Sequence, residues 1–289
     1  MPASPAKPNV AIYSGGDPTQ TQGIQVLQEI STGVYTTVIL WAAHVDASGN
    51  FAMNDDPIVS NGKFVSSALS WAKVVAGLKT TTGTTITRVE LSIGGDQTSF
   101  ANIQALFQKY GNKPTNPLYG NLKVLQSTLS LDAINYDDES TYDPNSSLGL
   151  AMMCAGLGMR VSICPFTMQA YWVNLVNAIN QSQPGTADAV YLQCYDGGAG
   201  NDPASWNKYF SSTGLGIAPG LWATHQEANS SQCTQNTTAS QANAQFSAWA
   251  KQSSLAGGFM FVGTDMLKCP NGGTPADYAS AIADAFGGS

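Results

Sequence analysis

The sequence predicts an α/β fold: a single closed (β/α)8 barrel, with a parallel sheet inside and helices outside. Three observations predict it. Short apolar runs alternate with longer helix-like stretches about eight times, the rhythm of βα units and the number that closes a barrel. One run, residues 131–139 (LDAINYDDE), is apolar at its start and acidic at its end. That suits a strand emptying into a barrel mouth, where parallel barrels keep their active sites. No internal repeat or low-complexity linker divides the 289 residues, a length that barrels often reach as one domain.

Residues 1–8 are read as a flexible N-terminal tail, with Met1-Pro-Ala-Ser-Pro as a processed or engineered start, and residues 9–289 as the barrel. The first strand is 10–14 (VAIYS), followed by Gly15-Gly16-Asp17. The second, 35–43, ends at His44; a polar loop, 46–56, then precedes a helix over 63–78. There Phe64, Val65, Ala68, Leu69, Ala72, Val75 and Ala76 recur at i, i+3, i+4 spacing. The third strand, 86–93, runs into Gly94-Gly95 and a helix over 100–110. A Pro/Asn/Gly loop, 113–121, leads to the fourth strand, 131–139. Strand alternation puts Asn135, Asp137 and Glu139 on one face, and Ile134, Tyr136 and Asp138 on the other. A helix over 148–157, a strand over 160–165 and a helix over 170–179 come next. In the sixth strand, 189–195, Gln193 and Tyr195 share a face, and Asp196-Gly197-Gly198 follows. The seventh strand, 216–225, carries Trp222. A Gln/Asn/Ser/Thr-rich loop, a helix over 242–251, the eighth strand at 258–262 and a helix over 276–286 complete the chain.

Composition narrows the function. Hydrophobic residues make up 43% of the chain, enough for a large core, and only 11% are charged, with Gly, Ser, Thr, Asn and Gln filling the difference. That balance suggests a secreted, extracellular protein. The net charge of -7 repels phosphate backbones and no basic stripe offsets it, so nucleic acid is excluded as a partner. No apolar run reaches membrane-spanning length, and no basic-then-apolar leader opens the chain, so no membrane partner is expected. Cys233 and Cys269 lie in polar stretches and are expected to bridge two neighbouring loops at the barrel mouth. Cys154, Cys164 and Cys194 lie in apolar runs and read as buried thiols. Asn145, Asn180, Asn229 and Asn236 head N-x-Ser/Thr sequons.

Several chemistries are missing their residues. His44 and His225 stand alone, in no metal-ligand spacing, so no metal is expected. No G-x-S-x-G elbow is present. Gly197–Gly200 lacks a P-loop Lys, and no dinucleotide fingerprint follows the first strand, so no cofactor is expected.

The 131–139 run resembles the strand-four signature of glycoside hydrolase family 18, D-G-x-D-x-D-x-E, with Asp132, Asn135, Asp137 and Glu139 at its polar positions. Ala133 replaces the usual Gly and Asn135 the usual Asp. Three further landmarks occur in family order: Tyr13 ending the first strand, Ser92-Ile93-Gly94-Gly95 matching S-x-G-G, and Gln193–Asp196 matching Q-x-Y-[DN]. The resemblance covers nearly the whole chain and implies a TIM barrel, without the α+β insertion domain that many bacterial chitinases carry between strands seven and eight.

The same resemblance implies roles. Glu139 would be the general acid. Asp137 and Tyr195 would orient the substrate's own 2-acetamido group, which attacks the anomeric carbon in place of an enzymic nucleophile. Asn135 and Ser92 would hold Asp137 from behind, with Asp132, Gln193 and Asp196 supporting. Tyr13 would reach the sugar. Family members carry a Trp near the end of strand eight as the floor under the sugar; alignment puts Val262 there, and Trp41 or Trp222 would have to supply the aromatic surface. Two functions follow. One is a retaining, substrate-assisted endo-hydrolase of β-1,4-linked N-acetylglucosaminides, in chitin, chitooligosaccharides or the chitobiose core of N-glycans (a chitinase or an endo-β-N-acetylglucosaminidase). The other is a weak or inactive sugar-binding relative. Either would act as a monomer on an N-acetylglucosamine-containing oligo- or polysaccharide.

Overall fold

The computed structural model describes residues 8–227 and 230–287; residues 1–7 of the tail expected over 1–8, and the sequon at Asn229, lie outside the described residues. In chain order the strands are β1 (Asn9–Tyr13), β2 (Thr37–Val45), β3 (Phe51–Met53), β4 (Asp56–Ser60), β5 (Lys63–Phe64), β6 (Arg88–Gly94) and β7 (Ala133–Asp137). They continue as β8 (Arg160–Ile163), β9 (Ala187–Gln193), β10 (Ile217–Trp222), β11 (His225–Gln226), β12 (Cys233–Gln235) and β13 (Gly257–Phe261). The helices are α1 (Thr21–Ile30), α2 (Leu69–Gly77), α3 (Ser99–Tyr110), α4 (Pro117–Leu129), α5 (Pro144–Gly156), α6 (Gln169–Ser182), α7 (Pro203–Tyr209), α8 (Ala239–Ala250), α9 (Gly263–Lys268) and α10 (Pro275–Phe286).

Eight strands pair in parallel in the order β1-β2-β6-β7-β8-β9-β10-β13, and β13 returns to β1, so the sheet closes into the expected (β/α)8 TIM barrel. No insertion domain separates β10 from β13: a small antiparallel ribbon, β11–β12, and α8 fill that connection. The main apolar core lies between sheet and helices, with Val38, Leu40, Ile134, Tyr136, Val161 and Leu192 facing Leu122, Leu150, Trp172 and Ile282. A second cluster fills the lumen, where Ala11, Tyr13, Ile39, Tyr191, Ala218 and Phe259 meet. Gly220 on β10 makes room for it: a Cβ there would sit 2.0 Å from the Phe259 ring.

The lower lumen is polar. Buried Glu90 accepts from Arg88 Nε at 2.5 Å, from the Tyr191 hydroxyl at 2.9 Å and from the Ser162 hydroxyl, while Arg88 grips Asp188 with two bonds of 2.7 Å. One layer up, Asn135 donates to Ser162 at 2.8 Å and accepts from Ser92 at 3.0 Å and Tyr13 at 3.1 Å. Every buried polar group of this column thus has a partner, as desolvation requires.

Local differences from the sequence reading have local causes. The helix expected over 63–78 is shorter, because Asn61 (φ 51°) and Gly62 (φ 74°) turn β4 into β5 and Lys63–Phe64 pair as a strand. The polar loop at 46–56 contains β3, which adds antiparallel to the end of β2. Helix α4 occupies part of the stretch read as a loop; the Asn116 side chain caps it by accepting from Leu118 N, with Pro117 in its first turn. Helices α1 and α7 were likewise unassigned, and α5 begins four residues before the expected helix, capped by Asp143. The seventh strand ends at Trp222, and His225 belongs to the ribbon. Cys233 and Cys269 form the expected disulfide; Cys154 and Cys164 are buried thiols and Cys194 a half-buried one.

Candidate active site

Asp137 ends β7 at the C-terminal mouth of the barrel, 4% exposed. Gln193 Nε2, at the end of β9, donates to its Oδ1 at 3.1 Å, and Trp41 Nε1, on β2, approaches its Oδ2 at 3.4 Å. Gly94, which ends β6, and Gly95 after it bring the backbones together. Gly95 N donates to the Asp137 carbonyl at 2.9 Å, and a Cβ on Gly94 (φ 114°) would lie 2.1 Å from that oxygen. S-x-G-G is therefore the sequence of a close approach.

The chain turns directly after Asp137. The Asp138 carboxylate gathers the amides of Ser140, Thr141 and Tyr142 at 3.2, 2.9 and 2.7 Å. This turn leaves Glu139 outside the strand, exposed at the rim of the same cleft. Tyr195 follows β9; its ring stacks on Phe261 at 5.4 Å with planes 14° apart, and its hydroxyl makes no hydrogen bond to another described residue. Trp222 faces it edge-on at 6.1 Å, donates from Nε1 to Asp265 Oδ2 at 2.9 Å, and stacks on His225 at 4.2 Å. Trp41 meets Phe261 edge-on at 4.9 Å. These groups enclose a cleft of about 380 Å³, also lined by Gly95, Asp196, Val262 and Thr264. Larger concavities, about 690 and 660 Å³, open at the opposite end around Arg88 and Lys79, where the charges are already paired. Size does not single out the mouth cleft; its unpaired acids and aromatic walls do.

The electrostatics are those of crowded carboxyls. Burial pushes Asp137 up to about 8, with the charges of Glu139, Asp138 and Asp96 adding to the rise and the Trp41 indole opposing it. Burial also raises Glu139, opposed by the Gln193 side chain and reinforced by Asp196, Asp138 and Asp96. Burial lifts the Tyr195 phenol well above its ordinary value, so it stays a hydroxyl donor. At neutral pH the Asp137–Glu139 pair therefore holds a proton, and its titration belongs to the pair. Among the described residues no group of three or more His, Cys, Asp or Glu side chains is arranged to hold a metal ion.

Asp137, Glu139, Tyr195, Gln193, Asp196, Trp41 and Trp222 all line this cleft. Three expectations need correcting. Asp132 is not in the site: it precedes β7 at the far end of the barrel, about 16 Å below Asp137 by strand rise, where Lys79 Nζ binds its carboxylate at 2.7 and 2.8 Å. Asn135 and Ser92 do not bond Asp137; they hold Tyr13 and Ser162 one layer below. Tyr13 borders the cleft but is 1% exposed, with its hydroxyl committed to Asn135, so it supports the floor from beneath. No Trp ends strand eight, as expected from Val262, but Phe261, one residue earlier, lines the cleft beside it and packs against Trp41 and Tyr195. Alternation of Phe259 and Phe261 could have shown it, had the lumen face of β13 been known. Asp265, on the short helix α9, left no signal in the sequence.

No protein-family model matches the chain. No curated protein sequence matches it either. Solved structures do. The spore cortex-lytic enzyme SleL of Bacillus cereus superposes with a TM-score of 0.59 at 10% identity, over 96% of this chain and 73% of that one. A mutant family 18 chitinase from Cycas revoluta, in complex with (GlcNAc)4, gives 0.59 at 9%, over 94% and 99%. Active domain 2 of a chitinase from Pyrococcus furiosus gives 0.57 at 12%, over 96% of each chain. The fold is that of the glycoside hydrolase family 18 barrels.

Proposed function

We propose that the chain is a retaining glycoside hydrolase that cuts within β-1,4-linked N-acetylglucosaminides. One observation carries the reading: Asp137 and Glu139 from the end of β7 and Tyr195 from the end of β9 reach a single cleft at the mouth of a family 18-like barrel. Glu139, at the rim, donates a proton to the glycosidic oxygen. The substrate's acetamido oxygen attacks the anomeric carbon, and the resulting oxazolinium is met by Asp137 below and the Tyr195 hydroxyl beside it. The shared proton supports this division. With Asp137 pushed up to about 8, the resting pair keeps one proton at neutral pH. As the acetamido group develops positive charge Asp137 ionises, and the pair's one proton passes through Glu139 to the glycosidic oxygen as the C–O bond breaks, leaving both Asp137 and Glu139 as carboxylates. Water then attacks the oxazolinium with Glu139 as base, giving retention.

Chitinase and SleL neighbours support a GlcNAc-containing polymer as substrate, and the disulfide supports an extracellular setting. The test is Glu139→Gln, which keeps shape but removes the transferable proton. Hydrolysis of a defined N-acetylglucosamine oligomer should fall by about 10²–10⁴ while oligomer binding persists. Unchanged hydrolysis would end this mechanism; binding without hydrolysis in the unmodified protein would make the chain a sugar-binding relative.

A further inference from the structure

We infer that Trp41 is a positioning residue of the reaction: its indole N–H, admitted by Gly95, holds the Asp137 carboxyl from the β2 side. The inference rests on the proposed function and concerns how its acid pair is held. The residue beneath Asp137 on the same face of β7 is turned away from it. Asn135 accepts from Ser92 and Tyr13 and donates to Ser162, all one layer down. The carboxyl is instead met from both sides. Gln193 Nε2 donates to Oδ1 at 3.1 Å and to the Cys164 carbonyl at 3.2 Å. That carbonyl can only accept, so the NH2 end of the amide faces Asp137. Trp41 Nε1, a donor with no capacity to accept, reaches Oδ2 at 3.4 Å. Gly95 (φ 67°) makes room for this second contact. A Cβ there would sit 3.2 Å from Asp137 Oδ2 and 3.3 Å from Trp41 Nε1, crowding the bond. The Phe261 ring, edge-on at 4.9 Å, sets the indole from its other side.

Both donors act most strongly on an ionised carboxylate. In the resting pair, burial and the charges of Glu139, Asp138 and Asp96 hold Asp137 toward its protonated form, and the Trp41 N–H opposes them. Tyr13, Tyr142, Tyr195 and the Cys164 thiol also feel the Asp137 charge. Burial raises all four above their ordinary values, so they stay neutral while the acids titrate. As the acetamido group turns positive and Asp137 ionises, the bond from Trp41 strengthens. Trp41 therefore stabilises the transition state more than the bound substrate, and its loss lowers kcat rather than raising KM. A Trp that carried sugar on its face would do the reverse.

The experiment replaces Trp41 by benzothienylalanine, which keeps the bicyclic ring with sulfur in place of the N–H. This protein and Trp41→Phe are compared with the parent on one defined N-acetylglucosamine oligomer. Both variants should lose about tenfold in kcat with KM nearly unchanged. The alkaline limb of kcat/KM should move to higher pH, because Asp137 loses a donor to its ionised form. In parallel, isotope-labelled aspartate carboxyls are titrated by NMR, with the Asp137 signal assigned by its loss in Asp137→Asn. Its midpoint should rise in both variants. A higher KM at unchanged kcat, with the limb unmoved, would make Trp41 a sugar platform and overturn the inference. An Asp137 midpoint that stays put without the N–H would overturn it as well. The isostere decides the matter if Trp41→Phe fails to fold. The NMR reading needs no turnover, so failure of the unmodified protein to cut the oligomer counts against the proposed function alone.

Discussion

Asp137 shows how one side chain ties stability to function. Its raised value means that the folded state resists ionisation. Below the ordinary value of 3.8 the carboxyl is protonated whether the chain is folded or not. As pH rises from there to about 8, the unfolded chain ionises while the folded one does not, so the folded state loses relative stability. Asp137→Asn mimics the protonated form at every pH. Its melting temperature should therefore gain on the parent's through this interval and level off above it. A constant offset from pH 4 to 8 in paired thermal melts would show that Asp137 ionises normally. Activity should follow the same proton: kcat/KM for an N-acetylglucosamine oligomer should fall as pH rises through about 8, where the pair loses it.

Among the elements, β10 and helix α9 carry the Trp222–Asp265 wall, His225 of the ribbon β11–β12 stacks on it, and the Cys233–Cys269 bridge ties the ribbon to the end of α9. The bridge spans 36 residues, so chain-entropy reasoning puts its contribution at up to about 4 kcal/mol. Replacing both cysteines with Ser should lower the melting temperature and raise KM more than it lowers kcat, because under the proposed function the wall contacts the sugar and does not transfer protons. An unchanged KM would separate the ribbon from sugar binding. The helices carry a recurrent signal: Asn116-Pro117, Asp143-Pro144, Asp202-Pro203 and Thr274-Pro275 each place a capping side chain before a proline in the first turn. Proline there loses no hydrogen bond, and the cap satisfies an orphan amide. Such pairs mark α4 and α7 in the sequence, but a dipeptide carries no length, and the apolar spacing that follows is weak in so polar a chain.

At the scale of the whole molecule, charge is sorted along the barrel axis. Cations pair with acids at the N-terminal end, and unpaired acids gather at the C-terminal mouth. The buried Arg88–Glu90 pair sits where strands of the closed sheet converge. Glu90→Ala would strand the guanidinium without its inner partner and free the hydroxyls of Tyr191 and Ser162. Breaking a buried pair from one side costs about 3–5 kcal/mol, measurable by chemical denaturation. A loss below about 1 kcal/mol would mean that the lumen floor relaxes or admits water.

The sequence by itself determined the barrel and most of its mouth. Strand alternation is strictly local, so the faces of Asn135, Asp137, Gln193 and Tyr195 followed from neighbours alone, and the order of glycine and acid landmarks gave the topology. Tertiary structure decided which end of the barrel, and which layer, each side chain occupies. Asp132 and Glu139 sit in one short motif yet lie at opposite ends, because β7 spans only Ala133–Asp137 and the Asp138 turn swings the chain outward. Tyr13 and Asn135 turned out to support each other below the site, a contact between residues 122 apart. Phe261 and Asp265 entered the cleft through the closure of β13 against β1 and β10, which no local pattern records. Such contacts form when the sheet closes, and their partners are distant in the chain.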